Sequence, residues 1–262
     1  MINFEGKNVL ITGAAGAIGK GIARGFREYG GNVFLTDLKQ EGVDAAVAEI
    51  TPAGKGLLGG LAGDVTRESD VKKVVDAAAK LLGNRVDILV NVAGIVGQGK
   101  VEEITEADWD KIFAVNCKGS FFFCKHVVGM MKANRFGKIL NFSSKSGKTG
   151  SALMSHYSAA KGAIISFTHA LAYELADFGI TANCLCPGIT EDTGVWSNVS
   201  AGYIKNLGKS REEVVKQFSA KVPLKRLAKI TDVVAVTLFL ASSGADYLTG
   251  QAINVDGGRE MH

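Results

Sequence analysis

The stretch that decides the fold is VLITGAAGAIGKGIA, residues 9–23, in which an apolar run passes through a glycine-rich turn into a helical pattern. The run of Val, Leu and Ile is typical of a buried strand. Apolar residues then recur every four positions at Ile18, Ile22 and Phe26, which predicts one face of an amphipathic helix. A strand, a glycine turn and a helix in this order predict a phosphate site at the helix N-terminus.

The next apolar run, NVFLTDLK (residues 32–39), carries Asp37 at its end, 18 residues after Gly19. A carboxylate at this spacing hydrogen-bonds an adenosine ribose and repels a 2′-phosphate. The pair therefore predicts NAD rather than NADP as the cofactor. A tight turn without a ligand and a solvated acid at a strand end are the structural alternatives.

The rest of the chain continues the alternation of short apolar runs with helical patterns. The further runs read as strands are NVFLTD, LLGGLAGDV, VDILVNVAG, GKILNFSS, ITANCLCPG and QAINVDGG. Such alternation predicts parallel strands joined by helical crossovers. We expect one domain over residues 1–262, a doubly wound α/β (Rossmann) fold with about seven parallel strands and helices on both faces. Residues 189–229 have no strand signal and are predicted to be a substrate-loop insertion.

Composition narrows the classes of partner. The net charge is only +4 over 262 residues, and no basic block stands out, so nucleic acid is not expected. No run of 18 apolar residues predicts a membrane span, and the N-terminus lacks a signal peptide's apolar region. The four cysteines have no metal-ligand spacing, so we expect no metal and reduced thiols in a cytoplasmic protein.

A second group of residues has the character of an acid/base site. Tyr157 and Lys161 share a helix face, where an ammonium lowers the pKa of a neighbouring phenol and makes it usable in proton transfer. Ser143 and Ser144 end a predicted strand, and Asn116 is polar within an apolar stretch. The structural alternatives are a chance surface pair, loop-capping serines and a satisfied buried amide.

Together these residues resemble the short-chain dehydrogenase/reductase family over essentially the whole chain. The family's Thr-Gly-x-x-x-Gly-x-Gly turn corresponds to Thr12–Gly19, with Ala17 at its middle glycine and Gly16 just before. Its Asn-Asn-Ala-Gly motif appears as Asn91-Val92-Ala93-Gly94, and Asp64-Val65 resembles its adenine-contacting pair. Pro187-Gly188 matches the turn beside the nicotinamide. The family's threonine position holds Asp192, with Thr190 and Thr193 nearest.

The resemblance implies specific roles. Its catalytic tetrad corresponds to Asn116, Ser144, Tyr157 and Lys161; Ser144 is preferred over Ser143 because it lies thirteen residues before the tyrosine. The implied cofactor-binding set is Gly13, Gly16, Ala17, Ile18, Gly19, Asp37, Asp64, Val65, Asn91, Ala93, Gly94, Tyr157, Lys161, Pro187, Gly188 and Thr190. Family members are commonly homotetramers or homodimers, so we expect one of these.

The segments SKSGKTGS, KVPLKR and TGQAINVDGG resemble the sugar-alcohol branch of the family, in particular sorbitol-6-phosphate 2-dehydrogenases. This implies NAD-dependent oxidation of a polyol or polyol phosphate to a ketose, with Ser144, Lys145 and Tyr157 contacting the substrate. Lys145 suits a phosphate as a point charge. Further cationic candidates, whose alternative is a solvated loop, are Lys205, Lys209 and Arg211.

Three other functions have some support in the sequence motifs. One is an NAD(P)H-dependent ketone or 3-oxoacyl reductase with the same tetrad, and another is a non-catalytic nucleotide-binding member of the fold. The third is a P-loop hydrolase, since Gly147-Lys148-Thr149 resembles the end of a P-loop. A P-loop needs a glycine five residues before the Gly-Lys pair, where this chain has Phe142, so the sequence excludes it.

Overall fold

A computed structural model describes residues 2–194, 196 and 210–261. In this part of the chain, seven strands form one sheet in the order β3-β2-β1-β4-β5-β6-β7, and every pairing is parallel. The strands are β1 Asn8–Thr12, β2 Asn32–Thr36, β3 Leu58–Gly60, β4 Ile88–Asn91, β5 Gly137–Phe142, β6 Ile180–Pro187 and β7 Ala252–Val255. The predicted doubly wound parallel sheet is confirmed.

Helices connect the strands and cover both faces of the sheet. The described helices are α1 Ala17–Glu28, α2 Gln40–Ile50, α3 Glu68–Leu81, α4 Glu106–Phe113, α5 Gly119–Asn134, α6 Lys145–Thr149, α7 Ser155–Leu175, α8 Arg211–Ala220 and α9 Ile230–Ala241. A π-helical turn, Ala114–Lys118, joins α4 to α5. None of these described helices combines the length and apolar character that crossing a membrane requires.

The alternation of side chains along β1 divides the core into two layers. Val9 and Ile11 belong to one cluster, which includes Phe26 of α1 and residues of α2 and α9. Leu10 points the other way, into a cluster that includes Val127 of α5 and residues of α3 and α7. Because successive residues of a strand face opposite sides, an unbroken apolar run is what a sheet covered on both faces requires.

β1 pairs with both β2 and β4. The chain extends the sheet in one direction with β2 and β3 and in the other with β4 to β7, so the direction of winding changes at β1. In open α/β sheets a crevice forms outside the carboxyl ends of the strands at such a point. The glycine turn after β1 and the segments after β4, β5 and β6 therefore converge on one edge of the sheet.

The predicted insertion, residues 189–229, follows β6 at this edge. In its described part, Thr190 forms an isolated parallel bridge with Ala228, and Ser210 caps α8 in a capping box with Glu213. Trp196 is buried in a cluster with Tyr157 and residues of α8. The described part of the insertion therefore packs over the end of α7 that carries Tyr157.

Candidate active site

The glycine turn after β1 brings main chain close to main chain. Gly13 has φ 65°, and a Cβ there would lie 2.8 Å from the Cα of Ala93. A Cβ at Gly19 would overlap the carbonyl oxygen of Gly13. Ala17 is the first residue of α1, with Gly16 as its N-cap. Ile18, in the first turn of α1, lines the cavity described below, and a helix N-terminus in this position suits a pyrophosphate.

Asp37 is attached to this turn. Its Oδ2 accepts a hydrogen bond of 2.9 Å from the main-chain N–H of Ala15, and its Oδ1 accepts one of 2.7 Å from Leu38. The carboxylate follows directly after β2 and is held beside the glycine turn. This is the position that a ribose-binding carboxylate requires.

Of the remaining residues predicted to bind the cofactor, some line the cavity and others point into the protein interior. Gly94 lines the cavity, and the N–H of Ala93 donates to Thr12 Oγ1 at 3.1 Å. Asn91 turns inward, where its Nδ2 donates to Asn141 Oδ1 at 2.9 Å. The Asn91 side chain thus bridges β4 and β5 inside the protein instead of lining the cavity.

Asp64 and Val65 lie in the segment between β3 and α3. Asp64 Oδ1 accepts hydrogen bonds from Thr66 N and Oγ1 at 2.8 and 2.7 Å. Val65 packs so closely against α5 that a Cβ at Gly119 would lie 2.9 Å from its Cγ2. The two residues form a shaped local turn, and their contact with an adenine ring stays a prediction.

All four residues of the predicted tetrad line one cavity of about 220 Å³, three of them because they lie just after β5 or on α7. Ser144 follows β5 and caps α6 by accepting a 3.2 Å hydrogen bond from Ser146 N. Tyr157 and Lys161 lie in the first turns of α7, both at least nine-tenths buried. Ser143 instead donates to the carbonyl oxygen of Lys161 at 2.7 Å, so it is used in the fold and leaves Ser144 for chemistry.

Asn116, the fourth tetrad residue, lies in the π-helical turn. Its Nδ2 donates to the carbonyl oxygens of Ile95 and Ile112, both at 2.9 Å. Its Oδ1 is buried without a hydrogen-bond partner among the described atoms. A Cβ placed on Gly94 would lie 2.7 Å from this oxygen and 3.2 Å from Lys161 Nζ. The amide is only half satisfied, and its free acceptor faces the same glycine as the lysine.

The pKa of Tyr157 in the folded protein differs from what the sequence predicts for a tyrosine beside Lys161. Burial raises the pKa of Tyr157, and the hydrogen bond with Ser144 only partly opposes this effect. Lys161 Nζ lies 5.7 Å from the centre of the Tyr157 ring and donates to Phe142 O at 2.8 Å. Burial also lowers the pKa of Lys161 to about 8. The expected depression of the phenol pKa is therefore outweighed by desolvation.

The turn after β6 forms the opposite wall. Pro187, Gly188 and both candidate threonines line the cavity. Thr193 Oγ1 donates to Thr190 O at 2.9 Å and accepts from Trp196 N at 3.0 Å. Among the described residues, the hydrogen bond of Thr190 Oγ1 is a long one, of 3.4 Å, to Gly188 O. Of the two threonines, Thr190 therefore has the more weakly hydrogen-bonded hydroxyl.

The cationic residues predicted to bind substrate differ in their position relative to the cavity. Lys145 lines the cavity, but its Nζ lies 3.4 Å from Glu260 Oε1. Lys148 donates to Ala252 O at 2.6 Å, and Arg211 is exposed on α8 away from the cavity wall. Lys205 and Lys209 lie outside the described residues.

The sequence reasoning did not identify several lining residues. Arg226, Asp256 and Arg259 contribute charge, and the apolar lining includes Met154, Trp196 and Phe218. Asp256 and Arg259 directly follow β7, and residues after the carboxyl end of a parallel strand are candidates by position alone. That signal was available in the sequence.

The chain is similar to known oxidoreductases over almost its full length. A family model described as enoyl-(acyl carrier protein) reductase matches residues 13–260. An uncharacterized oxidoreductase of Thermotoga maritima is 39% identical, with 98% of each chain covered. A sorbitol dehydrogenase of Cereibacter sphaeroides is 35% identical, covering 99% of this chain and 100% of the relative. A 3-oxoacyl-(acyl-carrier-protein) reductase of Chlamydia pneumoniae is 36% identical, with 98% of each covered.

Solved structures give the same range of chemistry. Actinorhodin polyketide ketoreductase with NADPH superposes with a TM-score of 0.93 at 34% identity, covering 98% of each chain. NAD⁺-bound xylitol dehydrogenase has a TM-score of 0.92 at 30% identity, covering 97% of this chain and 99% of the other. Sorbitol-6-phosphate 2-dehydrogenase from Erwinia amylovora has a TM-score of 0.92 at 33% identity, covering 97% and 100%.

Proposed function

Because the chain belongs to the short-chain dehydrogenase/reductase family, we propose that it is an NAD-dependent dehydrogenase that oxidises a polyol or polyol phosphate to a ketose. The observation that carries the proposal is the convergence of Ser144, Tyr157 and Lys161 on one cavity beside the glycine turn. A hydroxyl, a phenol and an ammonium there suit proton transfer to and from a secondary alcohol.

The residues fit a nicotinamide cofactor. There is no room for a Cβ at Gly13, before α1, or at Gly19, in the first turn of α1. A Cβ at Gly94 would crowd Asn116 and Lys161 in the same way. When bound, the cofactor accepts or supplies the hydride. The protein's part is to position the reactants and move the proton.

Each tetrad residue has a distinct task in this mechanism. Tyr157 accepts the proton of the alcohol during oxidation and returns it to the carbonyl oxygen during reduction. Ser144, already hydrogen-bonded with Tyr157, orients the substrate oxygen. Lys161 places a positive charge behind the phenol, which favours phenolate. The unpartnered Oδ1 of Asn116 can hold a water that connects Lys161 with solvent.

The choice of NAD is supported by Asp37, whose carboxylate is held at the turn by the N–H of Ala15. A negative charge at this position disfavours a 2′-phosphate by like-charge repulsion. Among the similar structures, one contains NAD⁺ and another NADPH, so similarity alone does not decide the cofactor.

The polyol assignment is supported by similarity to sorbitol dehydrogenase and to sorbitol-6-phosphate and xylitol dehydrogenases. A ketone or 3-oxoacyl reductase is the second candidate. It is favoured by the equally similar acyl-carrier-protein reductase and by the apolar side chains of Met154, Trp196 and Phe218 in the cavity wall. A non-catalytic nucleotide-binding role is disfavoured because all four tetrad positions hold the required residue types.

A substrate panel tests the proposal. Sorbitol, galactitol, xylitol, sorbitol 6-phosphate and cyclohexanol are each supplied with NAD or NADP, and reduced cofactor is followed by absorbance. In the reverse direction, fructose and acetoacetyl thioesters are supplied with NADH or NADPH. We expect the highest kcat/KM for a polyol or its phosphate with NAD. Turnover confined to the thioester and NADPH would instead establish the second candidate.

We also propose a homotetramer or homodimer in the cytoplasm. Its structural support is the aromatic side chains exposed on two long neighbouring helices, with Phe121 of α5 45% exposed and Tyr173 of α7 90% exposed. Phe121 also contacts Phe167 of α7, with 6.5 Å between the ring centres, and contiguous exposed apolar surface is typical of contact surfaces. Size-exclusion chromatography with light scattering tests this assembly, and a monomeric mass would refute it.

A further inference from the structure

A charged cluster closes the cavity on the side of the segment that follows β7. Glu260 Oε1 lies 3.4 Å from Lys145 Nζ and 3.7 Å from Arg259 Nε. The side chains of Lys145 and Glu260 are only 20% and 18% exposed, so water screens their interaction less than it screens a surface pair. Lys145 and Arg259 line the cavity, and Lys145 directly follows the tetrad residue Ser144.

The main chain around Glu260 is held independently of its carboxylate. Asp256 Oδ1 accepts from Gly258 N at 3.1 Å, and Asp256 Oδ2 accepts from Glu260 N at 3.0 Å. Asn254 Nδ2 donates to Glu260 O at 2.8 Å. These bonds use backbone atoms of residues 258 and 260, so a substitution of the Glu260 side chain leaves them in place.

Each cation that lines the described cavity wall, apart from the lysine used in proton transfer, contacts a carboxylate. Arg226 is paired with both oxygens of Asp232, at 2.5 and 2.9 Å. Lys145 and Arg259 both contact the carboxylate of Glu260, and Asp256 adds a second carboxylate at the wall. Lys161 is then the cation left over among the charged groups that line this wall in the described residues.

We propose that Glu260 determines substrate charge: its carboxylate occupies Lys145 and sets the cavity for an uncharged polyol. An anionic substrate must separate this half-buried pair before it can use the lysine, and it meets the charge of Glu260 at close range. Rejection by an existing like charge is a general route to specificity. The inference rests on the proposed function, and of the two substrates proposed there it favours the unphosphorylated polyol.

The first test compares sorbitol with sorbitol 6-phosphate in the wild type, a single variant and a double variant. The wild type should have the higher kcat/KM for sorbitol. Glu260→Gln should raise the ratio of phosphate ester to sorbitol by about tenfold or more. Adding Lys145→Met to that variant should remove the gain, because the freed ammonium is its cause. A wild type that prefers the phosphate ester, or an unchanged ratio in Glu260→Gln, overturns the proposal.

Glu49→Gln is the matched control. Glu49 also contacts one lysine and one arginine, Lys20 at 2.6 Å and Arg24 at 3.1 Å, but it lies on α2 outside the cavity. It changes the net charge by the same amount. Its ratio should equal that of the wild type, and an equal gain in this control would show that only overall charge matters, which also overturns the proposal.

A binding measurement separates failure of this inference from failure of the proposed function. Inorganic phosphate is titrated calorimetrically into each protein saturated with NADH. Phosphate should bind about tenfold more tightly to Glu260→Gln than to the wild type, and Lys145→Met should abolish the gain. If this holds while no polyol is oxidised, the polyol function fails and the charge selection stands. If polyols are oxidised while phosphate affinity is unchanged, the charge selection is overturned.

Discussion

The ammonium of Lys161 donates a hydrogen bond of 2.8 Å to the main-chain oxygen of Phe142, the last residue of β5. This bond ties the first turns of α7 to the strand end that delivers Ser144. It also holds the ammonium in the interior, where burial lowers its pKa to about 8. Proton transfer at this site therefore depends on groups whose titration is controlled by desolvation.

Replacing Tyr157 by phenylalanine should remove the group that exchanges the proton. We expect kcat for Tyr157→Phe to fall about 100- to 10,000-fold while NADH still binds with nearly unchanged affinity. Steady-state kinetics and NADH fluorescence titration measure the two quantities. Tyr173→Phe is the control, because Tyr173 lies on the same helix but is 90% exposed. Near-normal turnover of the Tyr157 variant would exclude its role as the acid/base.

The raised pKa of Tyr157 and the lowered pKa of Lys161 predict opposite pH profiles for the two directions. Alcohol oxidation needs the tyrosine deprotonated, so its kcat/KM should still be rising above about pH 9. Ketone reduction needs the tyrosine protonated and the lysine charged, so it should be level at neutral pH and fall above about pH 8, as Lys161 loses its proton. An oxidation profile that is already level at neutral pH would contradict this assignment.

Lys161 should also cost the folded protein stability. Burial lowers its pKa from an ordinary 10.5 to about 8, so keeping it charged at pH 7 costs about 3 kcal/mol. Lys161→Met removes this cost and loses one hydrogen bond, worth about 1 kcal/mol. We expect the variant to be inactive but about 2 kcal/mol more stable at pH 7, measured by urea unfolding.

The pH dependence of the stability gained in Lys161→Met distinguishes removal of a buried charge from better packing. Between about pH 8 and 10.5 the unfolded chain binds more protons at Lys161 than the folded one, so the wild type gains stability as pH rises. The advantage of Lys161→Met should therefore shrink towards pH 10. Lys80→Met, an exposed position on α3, should show neither effect. An advantage that is constant over pH would point to packing alone.

Asp37 should control the choice between cofactors. We expect the wild type to have a kcat/KM about 100-fold higher with NAD than with NADP, because the carboxylate repels a 2′-phosphate. Asp37→Asn retains an acceptor for Ala15 N but removes the charge, so NADP should gain about tenfold relative to NAD. Asp76→Asn, at an exposed position on α3, serves as the control. Equal kcat/KM for the two cofactors in the wild type would refute the role of Asp37.

The sequence by itself determined the sheet and the local motifs. Strand and helix periodicities are set by residues near one another in the chain, and so are the glycine turn and the helical spacing of Tyr157 and Lys161. The family resemblance extended this local information to Asn116 and Ser144, and the structure places both at the same cavity.

Only the tertiary structure decided how these groups behave. The sequence predicted a lowered phenol pKa, but burial under the insertion raises the pKa of Tyr157. The sequence predicted Lys145 as a cation for binding a substrate phosphate. In the folded protein Glu260, more than a hundred residues later in the chain, lies within 3.4 Å of it. Desolvation and charge pairing depend on which distant segments meet, and that information is absent from the spacing of residues along the chain.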